Sequence, residues 1–119
     1  VELSSFIQNL MHLPDRKTTR HFPNVTVLYA NDEREAENLM LDAGEHGFQI
    51  LSRQEDNGKT MDRLAVLLDE KYYYDENRYL RSQDHTMRTL FYRLNGAKEK
   101  LMIVVKENAP VYERVLELL

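Results

Sequence analysis

A strand pattern, an amphipathic helix pattern and a second strand pattern follow one another within about 27 residues of this sequence. Residues 25–30 form a short β-branched and apolar run, which is typical of a buried strand. Asp32 then precedes Glu35 at the spacing of a helix capping box, and residues 48–51 begin the second strand. The succession predicts a βαβ unit with parallel strands and a right-handed crossover.

Three further helices are predicted outside this unit. The first begins near Ser5 and ends before Pro14, and another spans residues 60–71. The last is capped by Asn108, with Pro110 in its first turn. The apolar residues expected to face the core on these helices are Phe6, Ile7, Leu10, Met11, Met61, Leu64, Ala65, Leu68, Val111, Val115 and Leu118. The whole pattern predicts an α/β fold, in which three to five helices cover a small mixed sheet of three to five strands.

Residues 82–94 are compatible with either a helix or a strand. Apolar side chains recur there at helical spacing, but residues 89–94 are also rich in β-forming side chains. The following pair, Asn95 and Gly96, is typical of a hairpin turn and also of a helix end. We favour a C-terminal β-hairpin, which would lead into an apolar strand over residues 101–105 before the last helix.

Composition and charge limit the class of protein. The chain has 119 residues, the size of a single α/β domain, and its 16 Lys and Arg against 20 Asp and Glu give a net charge of −4. This net negative charge argues against a protein that binds nucleic acid over its whole surface, although it is compatible with a local basic patch. Without cysteine, the chain has no disulfide, no thiolate metal site and no Cys nucleophile. We expect a cytoplasmic protein without a membrane-spanning segment, since no apolar run approaches the roughly 18 residues required.

Basic and aromatic residues gather in two parts of the sequence. A polar loop before the first strand contains guanidinium, lysine and hydroxyl groups, which are suitable ligands for phosphate oxygens. Tyrosines and arginines recur over residues 72–93, where they could stack on unpaired bases or form a protein–protein hot spot. The candidate binding residues are Arg16, Lys17, Arg20 and His21 in the loop, with Tyr79, Arg81, Arg88, Tyr92 and Arg93 in the later segment.

The catalytic and metal-binding signals are weak. Residues 58–60 (Gly-Lys-Thr) have the order of a phosphate-binding loop, but Arg53 stands where that motif needs a glycine. The four histidines do not pair at a metal-ligand spacing. Short acidic fragments with a lysine, such as residues 69–71 (Asp-Glu-Lys), occur by chance in most charged sequences. We therefore expect no catalytic residue, no metal ion and no cofactor.

These signals favour a small non-catalytic regulatory or adaptor protein that binds a protein partner through its Tyr- and Arg-rich surface. A first alternative is a regulator that binds single-stranded RNA or DNA through residues 16–21 and 78–93. A second alternative is a metal-dependent phosphodiesterase or nuclease, in which acids such as Asp62 and Asp69 would converge on a metal ion.

Overall fold

A computed structural model of the chain describes residues 2–15, 22–50, 61–84 and 87–119. Within these ranges the chain forms four helices and six strands. In chain order they are α1 (Glu2–Met11), β1 (Val25–Ala30), α2 (Glu33–Glu45), β2 (Gln49–Ile50), β3 (Met61–Leu68), β4 (Tyr72–Tyr74), β5 (Leu80–Ser82), α3 (Met87–Leu94), β6 (Ala97–Lys106) and α4 (Ala109–Leu118). The predicted α/β class is confirmed.

The main sheet has the strand order β1-β6-β3-β2, and all of its neighbouring strands are parallel. Its β6 strand is central, so that Val104 pairs with Leu28 on one side and with Leu67 on the other. The two strands of the predicted βαβ unit are parallel in one sheet, as expected, but β6 and β3 lie between them. In the described residues, β4 and β5 form a separate antiparallel hairpin, and His12 and Tyr79 form an isolated antiparallel bridge.

Helices cover both faces of the main sheet, as the side chains of β6 show. Ile103 and Val105 belong to the larger core cluster, which also contains side chains of α1, α3 and α4. Val104, between them, packs instead in a smaller cluster with Ala36 of α2. Successive side chains of a strand point to opposite faces, so an unbroken apolar run is what a strand covered on both faces requires.

Side-chain caps fix the starts of two helices. Asp32 accepts a hydrogen bond from the Glu35 amide at 2.8 Å, which begins α2 as the capping-box spacing predicts. Asn108 caps α4 through the Val111 amide, and Pro110 lies in its first turn. Both predictions are confirmed. In α1, by contrast, the helix begins at Glu2 and the predicted start near Ser5 is wrong.

The predicted helix over residues 60–71 is wrong, because residues 61–68 form β3. Leu64, Ala65 and Leu68 are buried as expected, but they are buried from two opposite sides of the sheet. A central strand has no polar face, so its apolar residues can imitate the spacing of a helix. The intervening Val66 is buried too, which a helix with one apolar face does not require.

The predicted C-terminal hairpin is also wrong, because residues 87–94 form α3. Asn95 and Gly96 end this helix with backbone hydrogen bonds to the carbonyls of Phe91 and Arg93, at 3.1 and 3.0 Å. The Asn-Gly pair therefore acts as a helix stop here. Leu90 and Leu94, on one side of α3, are buried against the core, and this tertiary contact overrides the β-forming composition of the segment.

Candidate functional site

The structure separates the predicted binding residues. Arg16, Lys17, Arg20 and His21 lie outside the described residues, as do residues 58–60. Tyr79 and Arg81 belong to the β4–β5 hairpin and its turn, whereas α3 carries the remaining three. These three are Arg88, Tyr92 and Arg93. A β-hairpin therefore positions Tyr79 and Arg81, whereas a helix positions the other three residues.

Arg81 is engaged within the hairpin. Its Nε lies 2.9 Å from the Asp75 carboxylate, and its guanidinium carbon lies 5.6 Å from the centre of the Tyr79 ring. Asp75 also accepts hydrogen bonds from the backbone amides of Tyr79 and Asn77. The Tyr79 amide, followed by the Arg81 ion pair, lowers the pKa of Asp75 below its ordinary value. This carboxylate compensates Arg81, which makes the arginine a poor ligand for phosphate.

Tyr79 attaches the hairpin to the end of α1. Its ring stacks on His12 with a centroid separation of 4.0 Å and an angle of 8° between the ring planes. Next to this stack, the Leu13 amide donates to the carbonyl of Arg78, and Arg78 forms an ion pair with Asp15. These contacts give the hairpin a fixed position relative to residues 12–15.

The contacts leave a groove between the hairpin and α4, which we call the hairpin groove. It has a volume of about 860 Å³ and is lined by residues from 13–15, 70–78 and 108–118. Tyr73 is exposed on one wall. The other apolar or aromatic lining residues are Leu13, Pro14, Tyr72, Tyr74, Pro110, Val111 and Leu118, of which Leu13, Tyr72, Val111 and Leu118 are buried.

Two polar side chains brace the walls of the hairpin groove. The side-chain amide of Asn108 donates to the carbonyls of Tyr72, at 2.7 Å, and Asp69, at 2.9 Å. The Tyr74 hydroxyl donates to the Leu10 carbonyl at 2.7 Å, and burial raises the pKa of this hydroxyl far above its ordinary value. Tyr74 is therefore a neutral structural donor.

The hairpin groove carries more negative than positive charge. Among its described lining residues are four carboxylates and two guanidinium groups. Arg78 forms an ion pair with Asp15, and Arg114 Nη1 lies 3.4 Å from Glu117 Oε2. The positive charge of each arginine is therefore compensated by a carboxylate. The carboxylates of Glu70 and Asp75 account for the excess within the lining, and each has a cationic neighbour outside it, Lys106 and Arg81 respectively.

Glu70 joins the groove to the carboxyl end of the sheet. Its side chain is hydrogen-bonded to that of Glu107, and Lys106 Nζ lies 3.6 Å from its carboxylate. The hydrogen bond to Glu70 raises the pKa of Glu107, while the backbone amide of Glu70 and then Glu107 lower the pKa of Glu70. Glu107 has a φ of 48°, in the left-handed region, and its amide donates to the Ala30 carbonyl at 2.9 Å.

Several residues of the hairpin groove carry no signal in the sequence that marks them as a site. Arg114 and Glu117 fall in the predicted last helix, and Asp15 falls in the loop before the first strand. No local signal connects them to Tyr73, because the segments are far apart in the chain and meet only after folding. Phe91, one of the apolar side chains at helical spacing in residues 82–94, is exposed.

The metal-dependent alternative finds no support in the described ranges. There, no three His, Asp or Glu side chains lie close enough together to hold a metal ion. Asp62 is exposed, and the Asp69 carboxylate lies 4.0 Å from Lys71 Nζ. None of the helices in the described part of the chain is long and apolar enough to cross a membrane.

Comparison with known proteins finds no matching family model, no matching curated sequence and no matching solved structure. The geometry and charge of the surfaces are therefore what can indicate a function.

Proposed function

We propose that this protein is a non-catalytic adaptor or regulatory protein that binds a segment of a partner protein in the hairpin groove. The segment would carry basic side chains next to apolar ones. The observation that carries the proposal is the combination of an exposed Tyr73 with an excess of carboxylates in one groove. A tyrosine offers a large contact area at a low entropy cost, and the carboxylates favour a basic partner.

The charge of the groove argues against a nucleic-acid ligand at this place. The lining has four carboxylates against two guanidinium groups, and both arginines are already engaged in ion pairs with Asp15 and Glu117. Affinity for nucleic acid depends on cations that are available to replace counterions. The same charges attract lysine and arginine side chains.

The exposure of the charged groups favours a protein segment over a small molecule. The side chains of Asp15 and Glu117 are 83% and 62% exposed, so they form an open rim instead of an enclosed pocket. Small-molecule sites usually enclose most of the ligand around a few buried polar groups. An apolar centre with a charged and wet rim is the usual anatomy of a protein–protein interface.

Contacts within the chain brace the groove in the absence of a partner. The hydrogen bonds of Asn108 and Tyr74 hold its walls, and the Tyr79–His12 stack holds the hairpin. A surface that does not have to order itself on binding loses less entropy, which supports a docking role.

A peptide library displayed on phage tests the proposal. We expect the wild-type protein to enrich sequences that combine lysine or arginine with apolar residues. The Glu117→Lys variant is expected to lose this enrichment, whereas Glu37→Lys, with the same charge change on an exposed position of α2, is expected to keep it. Enrichment of acidic peptides, or no enrichment at all, would contradict the proposal.

A further inference from the structure

Helix α3 presents two neighbouring aromatic rings to solvent. Phe91 is 43% exposed and Tyr92 is 57% exposed, while Leu90 and Leu94 bury the opposite side of the helix. The exposed Arg88 precedes them by three and four residues, which places it next to both rings on the helix surface. We call these three residues the α3 patch.

The charge of α3 is opposite to that of the hairpin groove. The helix contains Arg88 and Arg93 and no Asp or Glu, although the chain as a whole is acidic. The α3 patch therefore combines exposed aromatic side chains with positive charge. Single exposed apolar residues are common on protein surfaces, whereas here an arginine neighbours two exposed aromatic side chains at i+3 and i+4.

We propose that the α3 patch binds single-stranded nucleic acid, with Phe91 and Tyr92 stacking on unpaired bases and Arg88 contacting phosphate. Base–aromatic stacking tolerates any sequence, because every base has a π face. The positive charge of α3 complements the phosphate backbone, while the acidic groove would repel it. This inference is independent of the function proposed for the groove.

The composition of the α3 patch also predicts how binding depends on salt and on base pairing. With one arginine beside the rings, only a small number of counterions is released, so the salt dependence is expected to be shallow. Stacking would supply most of the affinity. A base-paired duplex hides the faces of its bases, so it is expected to bind much more weakly than a single strand.

The experiment is a titration of fluorescently labelled oligo-dT and oligo-U, read by fluorescence anisotropy at two salt concentrations. We expect Phe91→Leu and Tyr92→Leu each to weaken binding about fivefold or more, because leucine keeps an apolar side chain but loses the ring. The swaps Phe91→Tyr and Tyr92→Phe keep the ring and are expected to retain binding. Both positions are exposed, so the four variants are expected to fold, which circular dichroism checks.

A matched pair of charge reversals tests the role of the arginine. Arg88→Glu is expected to weaken binding and to flatten its salt dependence. Arg34→Glu makes the same change at an exposed position of α2 and is expected to leave binding unchanged. The proposal is overturned if the wild type does not bind at low salt, if the duplex binds as well as the single strand, or if the leucine variants bind like the wild type.

Discussion

The side-chain amide of Asn108 donates a hydrogen bond of 2.7 Å to the backbone carbonyl of Tyr72, 36 positions earlier in the chain. The same side chain caps α4 through its oxygen, so one buried residue joins the last helix to the β4–β5 hairpin. The two walls of the hairpin groove are therefore held together by Asn108 at their base.

Replacing Asn108 is expected to destabilise the protein. Asn108→Ala removes the cap and leaves the Tyr72 and Asp69 carbonyls without this donor, for a loss of about 2 kcal/mol in the free energy of unfolding. Urea denaturation measures the change. The control Asn38→Ala, at an exposed position of α2, is expected to stay near the wild-type value. An Asn108→Ala variant as stable as the control would show that this link contributes little.

Burial predicts that two leucines differ widely in their contribution to the free energy of unfolding. Leu94 is fully buried between α3 and the main core, whereas Leu41 on α2 is 66% exposed. Leu94→Ala is expected to lower the free energy of unfolding by roughly 2–5 kcal/mol, and Leu41→Ala to have little effect. Thermal or urea unfolding of both variants checks this prediction, and similar losses for the two would mean that α3 does not pack as described.

The lowered pKa of Asp75 predicts how hairpin stability depends on pH. The ionised form is favoured in the folded state, so its contribution is present above the ordinary aspartate pKa and is lost as the pH falls through the lowered value. Asp75→Asn removes this contribution, and the stability of the variant is expected to change less with pH below that ordinary value. Unfolding measured across acidic pH compares the two proteins, and parallel curves would count against the ion pair with Arg81.

The elements with strong local signals could be predicted from the sequence. Asp32 with Glu35, and Asn108 with Pro110, mark helix starts through contacts between residues close in the chain. The central strand β3 could not be predicted in the same way, because burial on both faces erases the alternation that identifies a strand.

Less of the candidate sites than of the fold could be predicted from the sequence. The hairpin groove depends on Asp15, Tyr73 and Glu117, which become neighbours only through the packing of the hairpin, α1 and α4. Charge alone was also misleading: Arg81 is basic in the sequence, but Asp75 compensates it in the folded protein. Phe91 stands at helical spacing with the buried Leu94, yet its own side chain is exposed.

The affinity of the hairpin groove for one basic and apolar peptide selected from the library tests the central claim most directly. Isothermal titration calorimetry would compare the wild type with Tyr73→Ala, Glu117→Lys and the control Glu37→Lys. We expect Tyr73→Ala to cost at least about 1 kcal/mol of binding free energy, Glu117→Lys to weaken binding, and the control to match the wild type. Equal affinities for all four proteins would contradict binding in the hairpin groove.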